Sequence, residues 1–127
     1  MENLTLEGSA KTPTVNFDGD NGVLELKGRS IPENATSFYK PFLDWIEEYR
    51  LEPQPETTLT FFLDYLNSIS QKIVYDILDR CTEIEKKSKV KVVWKYLEDD
   101  EEIMDEGTVF KSKVGLDFVL EEVPEED

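Results

Sequence analysis

The first part of the chain alternates apolar and polar side chains with the period of two that is typical of β-strands. This alternation occurs over residues 3–7, 14–18 and 23–27. The segment between the second and third of these stretches, 18–22, reads DGDNG and is rich in turn-forming residues. The pattern therefore predicts a β-meander or hairpin at the start of the fold.

From residue 33 onward, stretches with helical spacing of apolar residues alternate with stretches rich in β-branched and aromatic residues. They predict, in chain order, a helix over 33–50, a strand over 57–66, a helix over about 68–86, a strand over 90–97, a helix over about 98–113 and a strand over 116–120. Asn34 and Ser37 are alternative caps for the first of these helices. Gly107 is a weak point of the third, because glycine lowers helix propensity.

The resulting order is β-β-β-α-β-α-β-α-β, and its second half has the rhythm of parallel strands joined by helices. We therefore expect an α/β (α+β) fold with a mixed sheet: an N-terminal β-meander followed by β-α-β units, with the helices mainly on one face. The strand over 57–66 is apolar on both faces and is expected to be central. Its alternation places Leu59, Phe61, Leu63 and Tyr65 on one face.

The composition restricts the partners and the compartment. The 127 residues include 29 acidic and 14 basic side chains, which gives a net charge of −15. Such a charge argues against nucleic acids and anionic membranes as partners. No apolar run is long enough to span a membrane, and the first residues do not resemble a signal peptide, so we expect a cytoplasmic protein. We predict one domain over residues 1–120 and an acidic disordered tail over residues 121–127.

The residues offer little for catalysis. The chain has no histidine, and its one cysteine, Cys81, lies on the apolar stripe of the second helix, where a buried, unreactive thiol is expected. The glycine-rich phosphate-binding motifs GxGxxG and GxxxxGK[ST] are absent. The acidic run 98–106 lacks the spacing of a calcium loop and is interpreted as a solvated helix start. We therefore expect no enzymatic activity, no cofactor and no metal site.

The junction between the strand over 57–66 and the following helix contains a cluster of helix-capping residues, Asn67, Ser68 and Ser70. The simplest interpretation is that Ser68 or Ser70 is the N-cap of the helix, worth about 1 kcal/mol. The same position also favours a phosphate, because a phosphoserine there would meet unpaired backbone N–H groups and the positive end of the helix dipole. Lys72, one turn further on, is placed to pair with it. Chemistry alone leaves both interpretations open.

Several motifs in a fixed order resemble the SiaC-like family of bacterial regulatory phosphoproteins. Together they extend over nearly the whole chain to about residue 120. The matching residues are Thr12-Pro13, G-x-S-x-P-E-N over 28–34, L-D-W-I over 43–46, Y-L-N-S-x-S-Q-K over 65–72, Ile77-Leu78-Asp79 and the strand residues 92–96.

The resemblance implies a non-enzymatic, STAS-like adaptor that works through reversible phosphorylation, in the manner of anti-sigma-factor antagonists. In the family, a cognate kinase phosphorylates one serine or threonine at a helix N-terminus, and a PP2C-type phosphatase removes the phosphate. In one branch the unphosphorylated form binds a diguanylate cyclase and stimulates cyclic-di-GMP synthesis. The family motif implies Ser68 as the acceptor, with Ser70 as its rival; that branch has threonine where this chain has Ser68.

The surface implied for partner binding consists of Asn67, Ser68, Ser70 and Lys72, together with the turn Pro32-Glu33-Asn34. An alternative of another class is a constitutive acidic module that docks a basic partner and in which Ser68 is only a helix N-cap. Such a module would bind in a strongly salt-dependent way and would ignore the state of Ser68.

Overall fold

The computed structural model describes residues 2–125, and within this range it contains six strands and three helices in the predicted order. The strands are β1 (Leu4–Leu6), β2 (Thr14–Asp18), β3 (Val23–Ser30), β4 (Glu56–Leu66), β5 (Lys89–Leu97) and β6 (Asp117–Val123). The helices are α1 (Ala35–Tyr49), α2 (Ser68–Ile84) and α3 (Glu101–Lys113). Each predicted element is therefore confirmed.

The strands form one mixed sheet in the order β1-β2-β3-β4-β5-β6. The first three pair antiparallel, as a meander requires, whereas β3 to β6 pair parallel. Each parallel connection passes through one helix and advances by one strand in the same direction. Right-handed crossovers of this kind place all three helices on the same face. The predicted α/β fold with its helices on one face is confirmed, and β4 lies centrally.

The core lies between the sheet and the helices. Along β4, Leu59, Phe61 and Leu63 are buried on the face that the helices cover, and the residues between them are half-buried. The predicted apolar stripe of α2 is also buried, and it includes Cys81. Burial raises the pKa of the Cys81 thiol to about 12, so the thiol stays neutral and acts as a small hydrophobic side chain.

Tyr65 departs from the predicted alternation because β4 contains a bulge near its end. After Gly28, the register with β3 skips from Leu63 to Tyr65, so Asp64 is an extra residue without a partner across the strand. The extra residue reverses the alternation, and as a result Tyr65 is 46% exposed while Leu66 is buried. The prediction that Tyr65 shares the buried face of Leu63 is therefore wrong.

The first residues of the helices are set by side-chain caps. Asn34 Oδ1 accepts the backbone N–H of Ser37 at 3.2 Å, so Asn34 caps α1 and Pro41 lies inside the helix. Asp100 caps α3 by accepting a backbone N–H of its first turn at 3.0 Å. The acidic residues 98–100 therefore precede α3 rather than begin it. Within the described residues, none of the helices is both long and apolar enough to cross a membrane.

Gly107 is required by packing and is not simply a weak point of α3. It is buried against Trp94 of β5, and a Cβ at this position would clash with the indole ring. The Trp94 indole N–H also donates to the carbonyl oxygen of Ile103 at 2.9 Å, one turn earlier in α3. The glycine therefore allows α3 to approach the sheet closely enough to form this bond.

The C-terminal strand extends further than predicted. Residues 121–123 belong to β6, in which Glu121 is aligned with Lys95 of β5 and its Oε2 lies 3.7 Å from Lys95 Nζ. Parallel pairing with β5 supplies the backbone hydrogen bonds that an isolated acidic tail lacks. The prediction of a disordered tail over residues 121–127 is therefore wrong for residues 121–123. The last part of that prediction, at Glu126 and Asp127, lies outside the described residues.

Candidate modification and binding site

The predicted site residues meet at one edge of the sheet, which we call the carboxyl edge. There the parallel strands β3, β4 and β5 end and the helices α1, α2 and α3 begin. The register aligns Ser30 at the end of β3 with Leu66 at the end of β4. The backbone N–H of Asn67 then donates to the carbonyl oxygen of Ser30 at 3.1 Å. This bond holds the segment after β3 beside the start of α2.

Asn67, and neither serine, caps helix α2. Its side-chain Oδ1 accepts the backbone N–H of Ser70 at 2.9 Å, and its own backbone is extended. Ser68 is the first residue of the helix, and Ser70 lies two positions further on. The prediction that Ser68 or Ser70 is the N-cap is therefore wrong, because the Asn67 side chain already has this role. For the same reason Ser68 is not the cap in the alternative of a constitutive acidic docking module, whereas the docking module itself stays a prediction.

The hydroxyl of Ser70 belongs to a buried network of hydroxyl groups. It donates to the carbonyl oxygen of Ser30 at 3.1 Å and accepts the Ser30 hydroxyl proton at 2.8 Å. The Ser30 Oγ also lies 2.6 Å from the hydroxyl oxygen of Tyr39 in α1. Because the Ser30 proton is donated to Ser70, the Tyr39 hydroxyl is the donor in this bond. We call Ser30, Tyr39 and Ser70 the carboxyl-edge hydroxyl cluster. All three are fully buried, and they join the first turn of α2 to α1.

Ser68 has the opposite environment, because it is exposed to solvent. As the first residue of α2, it lies beside two backbone N–H groups that have no acceptor within the helix, its own and that of Ile69. The positive end of the helix dipole is at the same place. Lys72 is exposed one turn further on, on the same side of the helix. A phosphate on Ser68 would therefore find N–H donors and a cation nearby.

The turn Pro32-Glu33-Asn34 lies at the same edge, but its residues have different environments. Pro32 is buried. Glu33 is exposed, and its carboxylate lies 3.1 Å from Lys11 Nζ. Asn34 is exposed and caps α1. Of the predicted binding residues, Pro32 and Ser70 are thus inaccessible to a partner; those that reach the surface are Glu33, Asn34, Asn67, Ser68 and Lys72.

A groove between α2 and α3 opens beside Ser68, and it is absent from the sequence-based expectations. Its volume is about 550 Å³. Across it, the Gln71 side-chain amide donates to Glu106 Oε1 at 2.9 Å. Tyr75 and Val109 are the sequence signal for this groove, because they are apolar and fall outside the buried stripes of their helices. The lining residues are Ser68, Gln71, Lys72, Tyr75, Glu102, Asp105, Glu106, Val109, Phe110 and Lys113.

Glu106 lines this groove with one carboxylate oxygen unsatisfied. In the part of the chain that the structure describes, its Oε2 is buried and accepts no hydrogen bond. Burial, reinforced by the nearby carboxylates of Glu102 and Asp100, raises the pKa of Glu106 to about 7. The Glu106 carboxyl therefore exchanges its proton near neutral pH.

Three carboxylates near the end of β5 offer oxygens that a metal ion could use. Glu98, Asp99 and Glu125 have ligand atoms within 4.8 Å of one another, and all three are exposed. Two of them belong to the acidic run 98–106, whose composition is typical of a solvated helix start. Exposed acidic groups often lie this close without an ion, and we assign no metal here.

The chain is similar to the proteins of one family over nearly its whole length. The family model for the SiaC family regulatory phosphoprotein matches residues 6–123. An uncharacterized protein of Pseudomonas aeruginosa strain UCBPP-PA14 is 29% identical over 122 residues, which cover 95% of this chain and 97% of that protein.

Solved structures from Pseudomonas aeruginosa share the fold. SiaC of Pseudomonas aeruginosa has a TM-score of 0.88 and 27% identity, over 97% of this chain and 100% of that chain. The structure of the diguanylate cyclase SiaD in complex with its activator SiaC also contains a similar chain. Its TM-score is 0.88 and its identity is 28%, over 94% of this chain and 99% of that chain. The resemblance that the motifs indicate is therefore confirmed.

Proposed function

The chain belongs to the SiaC family of regulatory phosphoproteins, and from this we propose that it is a non-enzymatic adaptor switched by reversible phosphorylation of Ser68. A cognate kinase adds the phosphate, and a PP2C-type phosphatase removes it. The unphosphorylated form binds an output protein. A diguanylate cyclase is the first candidate for that output, because SiaC is the activator of SiaD in Pseudomonas aeruginosa.

The contrast between the two candidate serines of α2 carries the proposal. Ser68 is exposed at the first position of the helix, whereas Ser70 is fully buried. A kinase must reach the hydroxyl oxygen that it modifies, and the hydroxyl of Ser70 makes two hydrogen bonds inside the core. The difference in access supports Ser68 as the acceptor.

The local electrostatics also support a phosphate on Ser68. The modification adds about 1.5 to 2 negative charges, which the helix N-terminus and Lys72 would partly compensate. Because Ser68 projects from the surface, the phosphate changes the shape and charge that a partner meets without requiring the core to rearrange. The helix N-terminus and Lys72 compensate the charge of the phosphate only locally. A partner docked over Asn67 and Lys72 would meet the changed shape and charge and would be displaced.

Phosphosite mapping and matched serine variants test the acceptor. Tandem mass spectrometry on the protein from its native cells, grown under several conditions, should find a phosphate on Ser68 with condition-dependent occupancy. In the same cells Ser68→Ala should abolish the phosphorylated form, and Ser70→Ala should retain it. A phosphate on Ser70 alone, or on neither serine, would contradict the proposal.

The same variants extend the test to the output. Ser68→Ala should retain the output protein in capture experiments, because it keeps the unphosphorylated surface. Protein with phosphoserine at position 68 should bind at least about tenfold more weakly, and Ser68→Asp should weaken binding less, since one carboxylate imitates a phosphate poorly. Binding that ignores phosphorylation and falls steeply with salt would favour a constitutive acidic docking module.

A further inference from the structure

We infer that Glu106 links the phosphorylation of Ser68 to pH: a phosphate on Ser68 causes the Glu106 carboxyl, which lines the same groove, to take up a proton. The inference rests on the proposed function, because it concerns the regulation of the serine that the proposal assigns as the acceptor. Three observations carry it: the two residues share one groove, one oxygen of Glu106 is buried without a partner, and the cations in the groove are too few to balance a phosphate.

Ser68 and Glu106 lie close enough for their charges to interact. Both line the groove, Ser68 from the start of α2 and Glu106 from the middle of α3. Gln71 connects them, because it lies one turn after Ser68, about 4.5 Å further along the axis of α2, and its amide donates to Glu106 Oε1 at 2.9 Å. Charges interact over about 8 Å at physiological ionic strength, and partly buried charges are screened less.

The Glu106 carboxyl is already close to the balance between its charged and neutral forms. Its Oε1 accepts a hydrogen bond from Gln71, whereas its buried Oε2 accepts none within residues 2–125. An ionised carboxylate that is withdrawn from water needs donors on both oxygens. Burial is accordingly the largest cause that raises the pKa of Glu106 to about 7. A further negative charge in the groove therefore makes the neutral form the main one at physiological pH.

The charges around Glu106 are unbalanced even without a phosphate. The carboxylates of Glu102 and Asp100 reinforce the effect of burial on the pKa of Glu106. Neither lysine of the groove forms an ion pair with Glu106 in the part of the chain that the structure describes. A phosphate adds about 1.5 to 2 negative charges, which a single lysine offsets only in part. The charged residues in the groove or just before α3 are Lys72, Asp100, Glu102, Asp105 and Lys113, besides Glu106 itself.

The direction of the link follows from the order of the two titrations. The second pKa of a phosphoserine is about 6, so the phosphate carries its full charge where Glu106 titrates. That charge disfavours the ionised carboxylate and raises the pKa of Glu106 further. Between the two pKa values of Glu106, the phosphorylated protein therefore holds more protons than the unmodified protein.

This difference in bound protons makes the switch sensitive to pH. Because coupling between two sites is reciprocal, a fall in pH through the titration of Glu106 stabilises the phosphorylated form relative to the unmodified form. A rise in pH favours the unmodified form, which the proposed function assigns to binding of the output protein. Gln71 does not take part in the proton exchange, because its amide is neutral at every pH in this range.

Nuclear magnetic resonance titration of the intact chain tests the link. Protein with isotope-labelled glutamate is prepared with serine and with phosphoserine at position 68, and the Glu106 carboxyl signal is assigned by its loss in Glu106→Gln. In the unmodified protein this signal should titrate with a midpoint of about 7. Phosphoserine should move the midpoint upward by at least about 0.3 pH unit.

Matched variants separate the charge at position 68 from charge elsewhere. Ser68→Asp should move the Glu106 midpoint upward by about half as much as phosphoserine, because it adds one negative charge, and the neutral Ser68→Asn should leave it within about 0.1 pH unit. The control is Thr36→Asp, at an exposed residue in the first turn of α1 that does not line the groove. It adds the same charge at a helix start of the same edge and should also leave the midpoint within about 0.1 pH unit.

Three results would overturn the inference: a Glu106 midpoint that phosphoserine does not move, a midpoint near 4.5 in the unmodified protein, or equal shifts from Thr36→Asp and Ser68→Asp. Failure of the proposed function is a different result. If mapping in native cells finds no phosphate on Ser68, the proposed switch is contradicted even where the titrations are coupled. If the Ser68 phosphate controls output binding but leaves the Glu106 midpoint unchanged, the switch stands and its link to pH does not.

Discussion

The two ends of helix α1 each rest on a buried cluster of three hydroxyl groups, at opposite edges of the sheet. At the carboxyl edge this is the carboxyl-edge hydroxyl cluster described above. At the other edge, where β4 and β5 begin, the Tyr49 hydroxyl lies 2.8 Å from Thr57 Oγ1, which lies 2.7 Å from Ser88 Oγ. We call these three residues the amino-edge hydroxyl cluster. Both clusters consist of buried hydroxyl groups. They differ in their surroundings.

The surroundings differ in the sign of the backbone electrostatics. Near the amino-edge cluster, helix α2 ends, and the backbone N–H of Ser88 donates to the carbonyl oxygen of Ile84 at 3.0 Å. The negative end of the helix dipole is therefore at this edge, whereas the carboxyl edge has the helix N-termini. A phosphate suits only the carboxyl edge. There the exposed hydroxyl of Ser68 lies next to a start of α2 that Asn67 and the buried cluster hold in place.

The largest difference between the two clusters is expected from their tyrosines. The Tyr49 hydroxyl contacts Thr57 and also accepts the backbone N–H of Gln54 at 3.2 Å, whereas the Tyr39 hydroxyl contacts Ser30. Tyr49→Phe removes two hydrogen bonds and leaves the half-buried N–H of Gln54 without this acceptor, although Thr57 keeps its contact with Ser88, so it should lower the free energy of unfolding by about 2 kcal/mol. Tyr39→Phe should lower it by about 1 kcal/mol, because Ser30 keeps its bond to Ser70.

Urea denaturation monitored by fluorescence measures both losses. The control is Tyr75→Phe, at a tyrosine that is 41% exposed, where we expect a change within about 0.5 kcal/mol. Equal losses for Tyr39→Phe and Tyr49→Phe would mean that the two edges depend equally on their tyrosines. The edges would then differ only in the sign of their backbone electrostatics.

The sequence predicts the strands and helices that form the two edges, because these elements depend on local patterns. The periods of two and 3.6 give the order of strands and helices, and the cluster of polar residues at 67–70 marks the start of α2. Which of these residues caps the helix is not a local property. The bond from the Asn67 backbone to Ser30 orients Asn67, and the approach of Tyr39 and Ser30 buries Ser70.

Other features depend on contacts between distant segments and could not be predicted from spacing. Tyr65 faces outward because β4 has one residue more than β3 across the bulge at Asp64. Gly107 is needed because the chain brings Trp94 against α3. The groove exists because α2 and α3 become neighbours, which follows from the strand order. In each case the sequence contains the residues, and the topology decides what they touch.

The surroundings of the acidic side chains also differ between the two halves of the molecule. Toward the amino edge, Arg80 pairs with Glu47 at 2.8 Å and with Asp76 at 3.0 Å. In the groove, burial and the carboxylates of Glu102 and Asp100 raise the pKa of Glu106 from 4.5 to about 7. The folded state thus holds this proton more strongly than the unfolded chain, so the stability due to Glu106 falls as pH rises from 4.5 to about 7.

Glu106→Gln tests this sign. The amide stays neutral and can keep its contact with Gln71, so the variant should be more stable than the wild type at about pH 8 and similar to it at about pH 4. Thermal unfolding across this pH range measures the difference. Glu47→Gln should behave oppositely at about pH 8, because it breaks the ion pair with Arg80. A Glu106→Gln curve parallel to that of the wild type would show that this carboxyl does not titrate in the range.

The smallest expected effect tests the electrostatic sign of the two edges directly. Ser68 begins α2 at the carboxyl edge, and Ser112 lies in the last turn of α3, near the opposite edge; both are exposed. Relative to asparagine at the same position, aspartate at 68 should stabilise the fold by about 0.5 kcal/mol, and aspartate at 112 should destabilise it by a similar amount. Both effects should shrink together in about 1 M salt, because they are electrostatic and exposed. If aspartate had the same sign at both positions, the helix dipole would not distinguish the edges, and the placement of a phosphate at Ser68 would rest on access alone.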